Sequence, residues 1–209
     1  MNLTNYYWYF QSAVPSRICD DIVKYSKSIQ DQLATTGGYG DPKKLNQKQI
    51  KDLKKKRDSD IVWLNDRWIY KELQPYVQQA NINAGWNFQW DYSENMQFTK
   101  YHKGQYYGWH CDGWDRPYHK PEGDPAKGKV RKLSVTLTIA DPKEYKGGEL
   151  EFDFRNLDPD KKPNIRKCTE ILPKGSLVVF PGFVWHRVCP VKKGTRHSLV
   201  MWNLGWPYK

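Results

Sequence analysis

The chain has 209 residues, a formal net charge of +11 and a 15% aromatic share, with a mean hydropathy of −0.88. That length suits one domain with a substantial core spanning 1–209, and so polar a chain holds no run of about 18 apolar residues that could cross a membrane as a helix. Four scattered cysteines, Cys19, Cys111, Cys168 and Cys189, form no C-x-x-C pair, which excludes a zinc knuckle and supplies no disulfide framework.

In chain order, the opening "MNLTNYYWYFQSAVPS" lacks a basic and then apolar leader, so the protein is expected in the cytoplasm. Within it, "NYYWYF" reads as a short strand. "PSRICDDIVKYSKSIQDQLA" follows as a helix, with Ile18, Ile22, Val23 and Ile29 at helical spacing, Ser16 as its N-cap and "TTGGYGDP" as its end. Asp41 to Ser59 reads as mobile. A second helix starts near Asn65 or Asp66 and runs through "RWIYKELQPYVQQANINAG", with Pro75 either kinking it or marking its true first turn.

From Trp86 the texture changes to short strands between Gly, Pro and Asp turns: "NFQWDYSENMQFTKY", "RKLSVTLTIA", "GGELEFDF", "GSLVVFPG", "FVWHRVCP" and "RHSLVMWNLGW". Such spacing predicts a sandwich or barrel. The fold class is therefore α+β and mainly β, a helical layer (1–84) supporting a β core (85–209). The positive charge sits largely in "DPKKLNQKQIKDLKKKRDSD", "DPDKKPNIRK" and "PVKKG", which read as solvated surface; for Arg57 and its neighbouring lysines contact with substrate is open beside the favoured exposed charged face. Charge alone leaves an acidic partner open and makes nucleic acid the less favoured one.

The chemistry gathers in "YHKGQYYGWHCD", which ends on His110 and Asp112 one residue apart. On an extended strand, residues two apart share a face, so an imidazole and a carboxylate there can grip one metal ion while Cys111 between them points away. His186, after the Pro-Gly turn of "VVFPGFVWHRVCP", supplies a second imidazole. Two histidines and one carboxylate make the facial triad of non-haem Fe(II) oxygenases. Ten positions on, Arg196 shares its strand face with Ser198, Val200 and Trp202 by alternation. An arginine fork there suits a 2-oxo-dicarboxylate, a charge-assisted bond contributing roughly 1.5–3 kcal/mol. Gly147 and Gly148 read as a tight turn. Glu149, Glu151 and Asp153 alternate with apolar residues as on a half-buried strand, and His102, His119 and His197 are expected to bind no metal.

These segments, from about Met96 to Trp206, resemble the 2-oxoglutarate- and Fe(II)-dependent dioxygenases of the prolyl-4-hydroxylase type. The resemblance implies a double-stranded β-helix (jelly roll) core with an N-terminal helical layer. It makes His110, Asp112 and His186 the iron ligands and Arg196 the anchor of the distal carboxylate of 2-oxoglutarate. Tyr101 would hydrogen-bond the co-substrate. Thr138 stands where some relatives place a tyrosine beside the 2-oxoglutarate tail, a departure that leaves core packing as open as cofactor binding. Gln97, Tyr107 and Trp202 would meet the primary substrate, barrel packing being as open for Trp202, and the Gly- and Pro-rich loop 113–129 would act as a lid. The implied cofactors are Fe(II), 2-oxoglutarate and O2, with ascorbate as reductant. The implied partner is a proline-containing protein or peptide, hydroxylated as 2-oxoglutarate is decarboxylated to succinate and CO2.

Two other functions stay open. An oxidative demethylase of alkylated nucleic acid would draw on the positive charge, but the further arginine such enzymes carry after the 2-oxoglutarate anchor has no counterpart before Lys209. A non-catalytic binding module on the same barrel would usually have lost a ligand or the arginine.

Overall fold

The structure is a computed structural model that describes residues 4–36, 41–113, 116–155, 158 and 160–208. The chain begins with β1 (Trp8–Phe10), α1 (Ser16–Ser26), β2 (Gln32–Leu33), α2 (Gln47–Lys56), β3 (Arg57–Asp58), β4 (Asp60–Leu64) and α3 (Arg67–Asn83). It continues with β5 (Tyr92–Ser93), β6 (Met96–Tyr101), β7 (Tyr106–His110), β8 (Val130–Thr138), β9 (Tyr145–Gly147) and β10 (Leu150–Asp153). Last come β11 (Ile165–Lys167), β12 (Leu177–Pro181), β13 (Trp185–Val188), β14 (Val191–Gly194) and β15 (Arg196–Gly205).

The large sheet runs β1-β12-β8-β15-β6-β4-β2, with β5 also on β15, and the second runs β11-β10-β13-β7-β3. The pairings are antiparallel, and two such sheets face to face form the jelly-roll core. Alternation assigns the large sheet's two faces. Leu177 and Val179 of β12, and Leu199 and Met201 of β15, join Ile22, Ile69, Leu73 and Val77 of α1 and α3 in one core. Val178 and Phe180 of β12 point the other way and join Phe152, Leu150 and Val184 between the sheets. With both faces covered, the large sheet is a rigid wall, and each fully buried Leu or Ile contributes about 1.5–3 kcal/mol. The polar positions that break this apolar pattern on the inner face are where the chemistry gathers.

Several sequence expectations are corrected here. Pro15, not Ser16, precedes the first turn of α1, with no side-chain cap, and α1 stops at Ser26. Ile29 lies beyond it yet still packs on the helix core. The chain then pairs Gln32–Leu33 with β4 instead of continuing as helix to "TTGGYGDP", of which 37–40 lie outside the described residues. The stretch from Asp41 to Ser59 holds the regular helix α2. It is closed by a capping box between Asn46 and Gln49 and anchored by the fully buried Leu53. α3 starts after Asp66 and runs through Pro75, so the proline does not mark its first turn. Residues 1–84 also supply strands to both sheets, since β4 pairs with β6 and β3 with β7. All four cysteines are free thiols. Among the described residues no helix is long and apolar enough to cross a membrane.

Candidate metal centre and its cavity

β7 and β13 are neighbours in the second sheet, and their register sets His110 directly opposite His186. The two imidazole centroids lie 4.1 Å apart. Asp112 stands two residues past His110, just beyond the end of β7, and is turned inward by its own backbone. Its N–H and that of Gly113 both donate to the Gly182 carbonyl, at 2.9 and 2.8 Å. The result brings His110 Nε2 within 3.7 Å of Asp112 Oδ1 and His186 Nε2 within 3.5 Å of Asp112 Oδ2. Three ligand atoms thus lie within 4.8 Å of one another, and among the described residues no other His, Cys, Asp and Glu side chains form such a group.

The outer nitrogens fix the tautomers. His110 Nδ1 lies 2.8 Å from the Gly108 carbonyl, and His186 Nδ1 lies 2.9 Å from that of Val184. A carbonyl only accepts, so each Nδ1 carries a hydrogen and each Nε2 is the nitrogen turned to the common point. Burial, reinforced by the neighbouring His186, pushes the His110 pKa down to about 3, which keeps the ring neutral. Burial opposes ionisation of Asp112, but the imidazoles of His186 and His110, then Arg131 and the Trp202 indole N–H, hold its pKa at about 2. The Trp202 Nε1 reaches no hydrogen bond of normal geometry, so its effect on Asp112 is that of a nearby dipole. Two imidazoles and one carboxylate are a donor set that fits Fe(II). Cys111 stays out of it: its thiol donates to the Phe183 carbonyl at 3.1 Å, and burial lifts its pKa to about 12.

The triad opens into a cavity of about 440 Å³ between the sheets. Arg196 enters it from β15, opposite Tyr101 of β6, and is only 2% exposed. Its Nη1 donates to Ser198 Oγ at 3.0 Å, and its Cζ lies 5.7 Å from the Tyr101 ring centre. Gly148, at φ +67°, lets the chain pass this side chain, since a Cβ there would stand 2.9 Å from Arg196 Cδ. Ser198, Val200 and Trp202 line the same cavity, as their alternation with Arg196 predicts. Gln97, Tyr101 and Tyr107 line it too, and Tyr107 stacks on His110 with ring centres 3.5 Å apart.

Thr138 is buried and paired with Ser198, outside the cavity lining, whereas Thr136 is part of it. His102 meets Thr195 Oγ1, and His197 stacks on Phe98. Glu151 and Asp153 form ion pairs with Arg187 and Arg155. From the loop 113–129, Gly113, Arg116 and Tyr118 reach the cavity, while Trp114 and Asp115 lie outside the described residues.

Arg131 and Trp63 line the cavity although the sequence reading did not mark them. Arg131 is ion-paired to Glu94 at 2.6 Å and stacked 3.9 Å from the Trp202 ring centre. Trp63 is tilted against Trp202 with ring centres 6.2 Å apart. Of the two readings of Arg57, the favoured exposed face is corrected: it is 4% exposed and lines the cavity. It begins β3, so the pairing with β7 carries it inward and away from the lysines before it. Trp63 lies in the continuous apolar run Ile61 to Leu64, whose faces are set by the pairing of β4 with β6 and not by any alternation in the sequence.

Comparison with known proteins agrees with this geometry. Residues 96–203 match the family model described as the 2OG-Fe(II) oxygenase superfamily. A PKHD-type hydroxylase of Xanthomonas campestris is 36% identical over 107 residues, covering 50% of this chain and 41% of that protein. The chain thus aligns with less than half the length of such a relative. Among solved structures, the viral collagen prolyl hydroxylase of Paramecium bursaria Chlorella virus-1, in its 2OG complex, superposes with a TM-score of 0.64 at 20% identity, covering 97% of each chain. A prolyl hydroxylase from Trichoplax adhaerens, in complex with a hypoxia inducible factor peptide fragment, gives 0.64 at 15% identity, covering 96% of this chain and 84% of that one.

Proposed function

The chain belongs to the 2OG-Fe(II) oxygenase superfamily, and from that premise we propose that it hydroxylates a C–H bond of a prolyl residue in a protein or peptide. The family implies Fe(II) as the metal with 2-oxoglutarate and O2 as co-substrates, and ascorbate is our proposal for the reductant. The observation that carries the reading is the convergence of His110, Asp112 and His186 beside a buried arginine that no acid neutralises among the described residues.

In this account His110, Asp112 and His186 hold Fe(II), which when bound supplies the O2 activation and the oxidative decarboxylation of 2-oxoglutarate. Arg196 grips the distal carboxylate of the co-substrate, and the Tyr101 ring stands over that guanidinium. The Tyr107 phenol, whose pKa burial lifts to about 12, remains protonated, and its ring fixes the orientation of His110. Gln97, Trp63 and Trp202 form the wall against which an extended chain lies, and aromatic walls suit a proline-bearing segment. Gly113, Arg116 and Tyr118, which line the cavity, are in this account the residues that screen it from solvent. Excluding water there protects the reaction and strengthens every charge contact inside.

The test is mass spectrometry of proline-containing peptides and of methylated oligonucleotides after incubation with enzyme, Fe(II), 2-oxoglutarate and ascorbate. The proposal expects one added oxygen on a prolyl residue, with succinate formed in equal amount. Loss of a methyl group from the oligonucleotides, with the peptides unchanged, would contradict it.

A further inference from the structure

The cavity contains two buried guanidinium groups without a carboxylate partner, and the proposed co-substrate answers only one of them. Arg196 and Arg57 are 2% and 4% exposed, and neither forms an ion pair among the described residues. A buried charge is costly unless it is paired. This fold does pair its arginines elsewhere: the half-buried Arg131 holds Glu94, and Arg155, Arg166 and Arg187 hold Asp153, Glu170 and Glu151. Resting on the proposed function, the distal carboxylate of 2-oxoglutarate neutralises Arg196. Arg57 is left over.

Its side chain is held in place but not satisfied. Nε donates to Ser59 Oγ at 3.0 Å, and Nη1 reaches Gln97 Oε1 only at 3.4 Å. The guanidinium carbon lies 4.5 Å from the centre of the Tyr107 ring, which itself stacks on the metal ligand His110. Nη2 is buried with no hydrogen-bond partner. The two guanidinium groups have different neighbours: Arg196 stands over the Tyr101 ring and meets Ser198, while Arg57 stands over the Tyr107 ring and reaches Gln97.

We infer that Arg57 is a specificity-determining residue that receives a carboxylate of the primary substrate, so the preferred substrate is acidic close to its reacting carbon. A peptide offers this chemistry in two ways, as an aspartate or glutamate beside the proline or as the carboxylate of a C-terminal proline.

Two matched pairs of peptides separate these sources: Pro-Asp against Pro-Asn in a capped peptide, and C-terminal proline acid against its amide. The assay measures kcat/KM for each with the iron- and 2-oxoglutarate-loaded enzyme, and anaerobic calorimetry gives the Kd of each. The wild type should favour the acid of at least one pair by about 10- to 100-fold, mainly through KM and Kd, the range of a charge-assisted bond. Arg57→Gln should bring that ratio within about twofold of one, and Arg57→Lys should keep part of it. Arg196→Gln should raise the KM for 2-oxoglutarate and leave the acid-to-neutral ratio in place. Because each ratio is internal to one protein, a loss of folded enzyme does not alter it. Turnover of acid and neutral peptides at equal efficiency by the wild type, or a ratio unchanged in Arg57→Gln, would overturn the inference while leaving the hydroxylase intact. Absence of turnover with every peptide would overturn the proposed function and this inference with it.

Discussion

Replacing Gly113 by alanine should damage the metal centre more than the fold. Gly113 follows Asp112, and a Cβ built on it would stand 2.5 Å from the Arg131 carbonyl and 3.3 Å from the Gly182 carbonyl carbon. Ordinary contact begins near 3.4 Å, so the turn must open by nearly an ångström against two backbones that cannot swing aside. The Gly182 backbone is the one that aims Asp112, through the paired bonds from Asp112 and Gly113 to its oxygen. Overpacking of this kind costs about 1–3 kcal/mol, and each kcal/mol lowers the melting temperature of a chain this size by about 2–4 °C. Misplacing a support of a metal ligand typically costs about 10- to 100-fold in metal affinity. Anaerobic calorimetric titration with Fe(II) reads the affinity, and thermal unfolding in a chelator reads stability alone. Gly104→Ala is the control: φ there is +88° and nothing lies within 4 Å of the added carbon. It should show only the left-handed backbone cost of about 1–2 kcal/mol. If Gly113→Ala binds Fe(II) within twofold of the wild type, the Gly182 oxygen does not position Asp112 as argued.

Arg196→Gln should raise the KM for 2-oxoglutarate by about tenfold to a hundredfold with a smaller effect on kcat, as expected for loss of a charge-assisted bond; an unchanged KM would remove Arg196 from the co-substrate site. His197 has its pKa pushed down to about 4, chiefly by burial and then by Lys100 and other nearby cations. The unfolded chain therefore takes up that proton near pH 6.5 and the folded one only near 4, so this residue makes stability fall as pH drops through that window, by about 1 kcal/mol between pH 7.5 and 5.5. Urea unfolding at both pH values should show His197→Asn losing that part of the pH dependence, and an equal dependence in both proteins would refute it. Asn46→Ala removes the capping box of α2 and should cost about 1 kcal/mol, read as faster amide exchange confined to α2; unchanged exchange would mean the cap does not hold the helix.

Period-two patterning made much of this legible. On β15, Arg196, Ser198, Val200 and Trp202 line the cavity while Leu199 and Met201 join the helix core, the division that alternation demands. The pairing of His110 with His186 could be expected from a barrel but not placed, because register depends on which strands become neighbours. Asp112 reaches the site through a turn beyond the strand end, not through strand alternation, so the residue choice was legible while its geometry was not. The lysine-rich stretch misled in a different way. Its charge density suggested a solvated loop, yet Asn46 and Gln49 spell a capping box, a local helix signal that was present and outweighed. Arg57 is the harder case, since a single basic residue turns inward only because β3 pairs with β7.

The most direct measurement is succinate formation from 2-oxoglutarate with Fe(II), comparing the wild type with His110→Ala and His186→Ala. Production that requires iron in the wild type and is lost in both variants, with each variant still folded by circular dichroism, is the result predicted. Succinate formed equally by the variants, or absent from an iron-loaded wild type supplied with peptide substrate, would contradict the assignment of this site as an oxygenase centre.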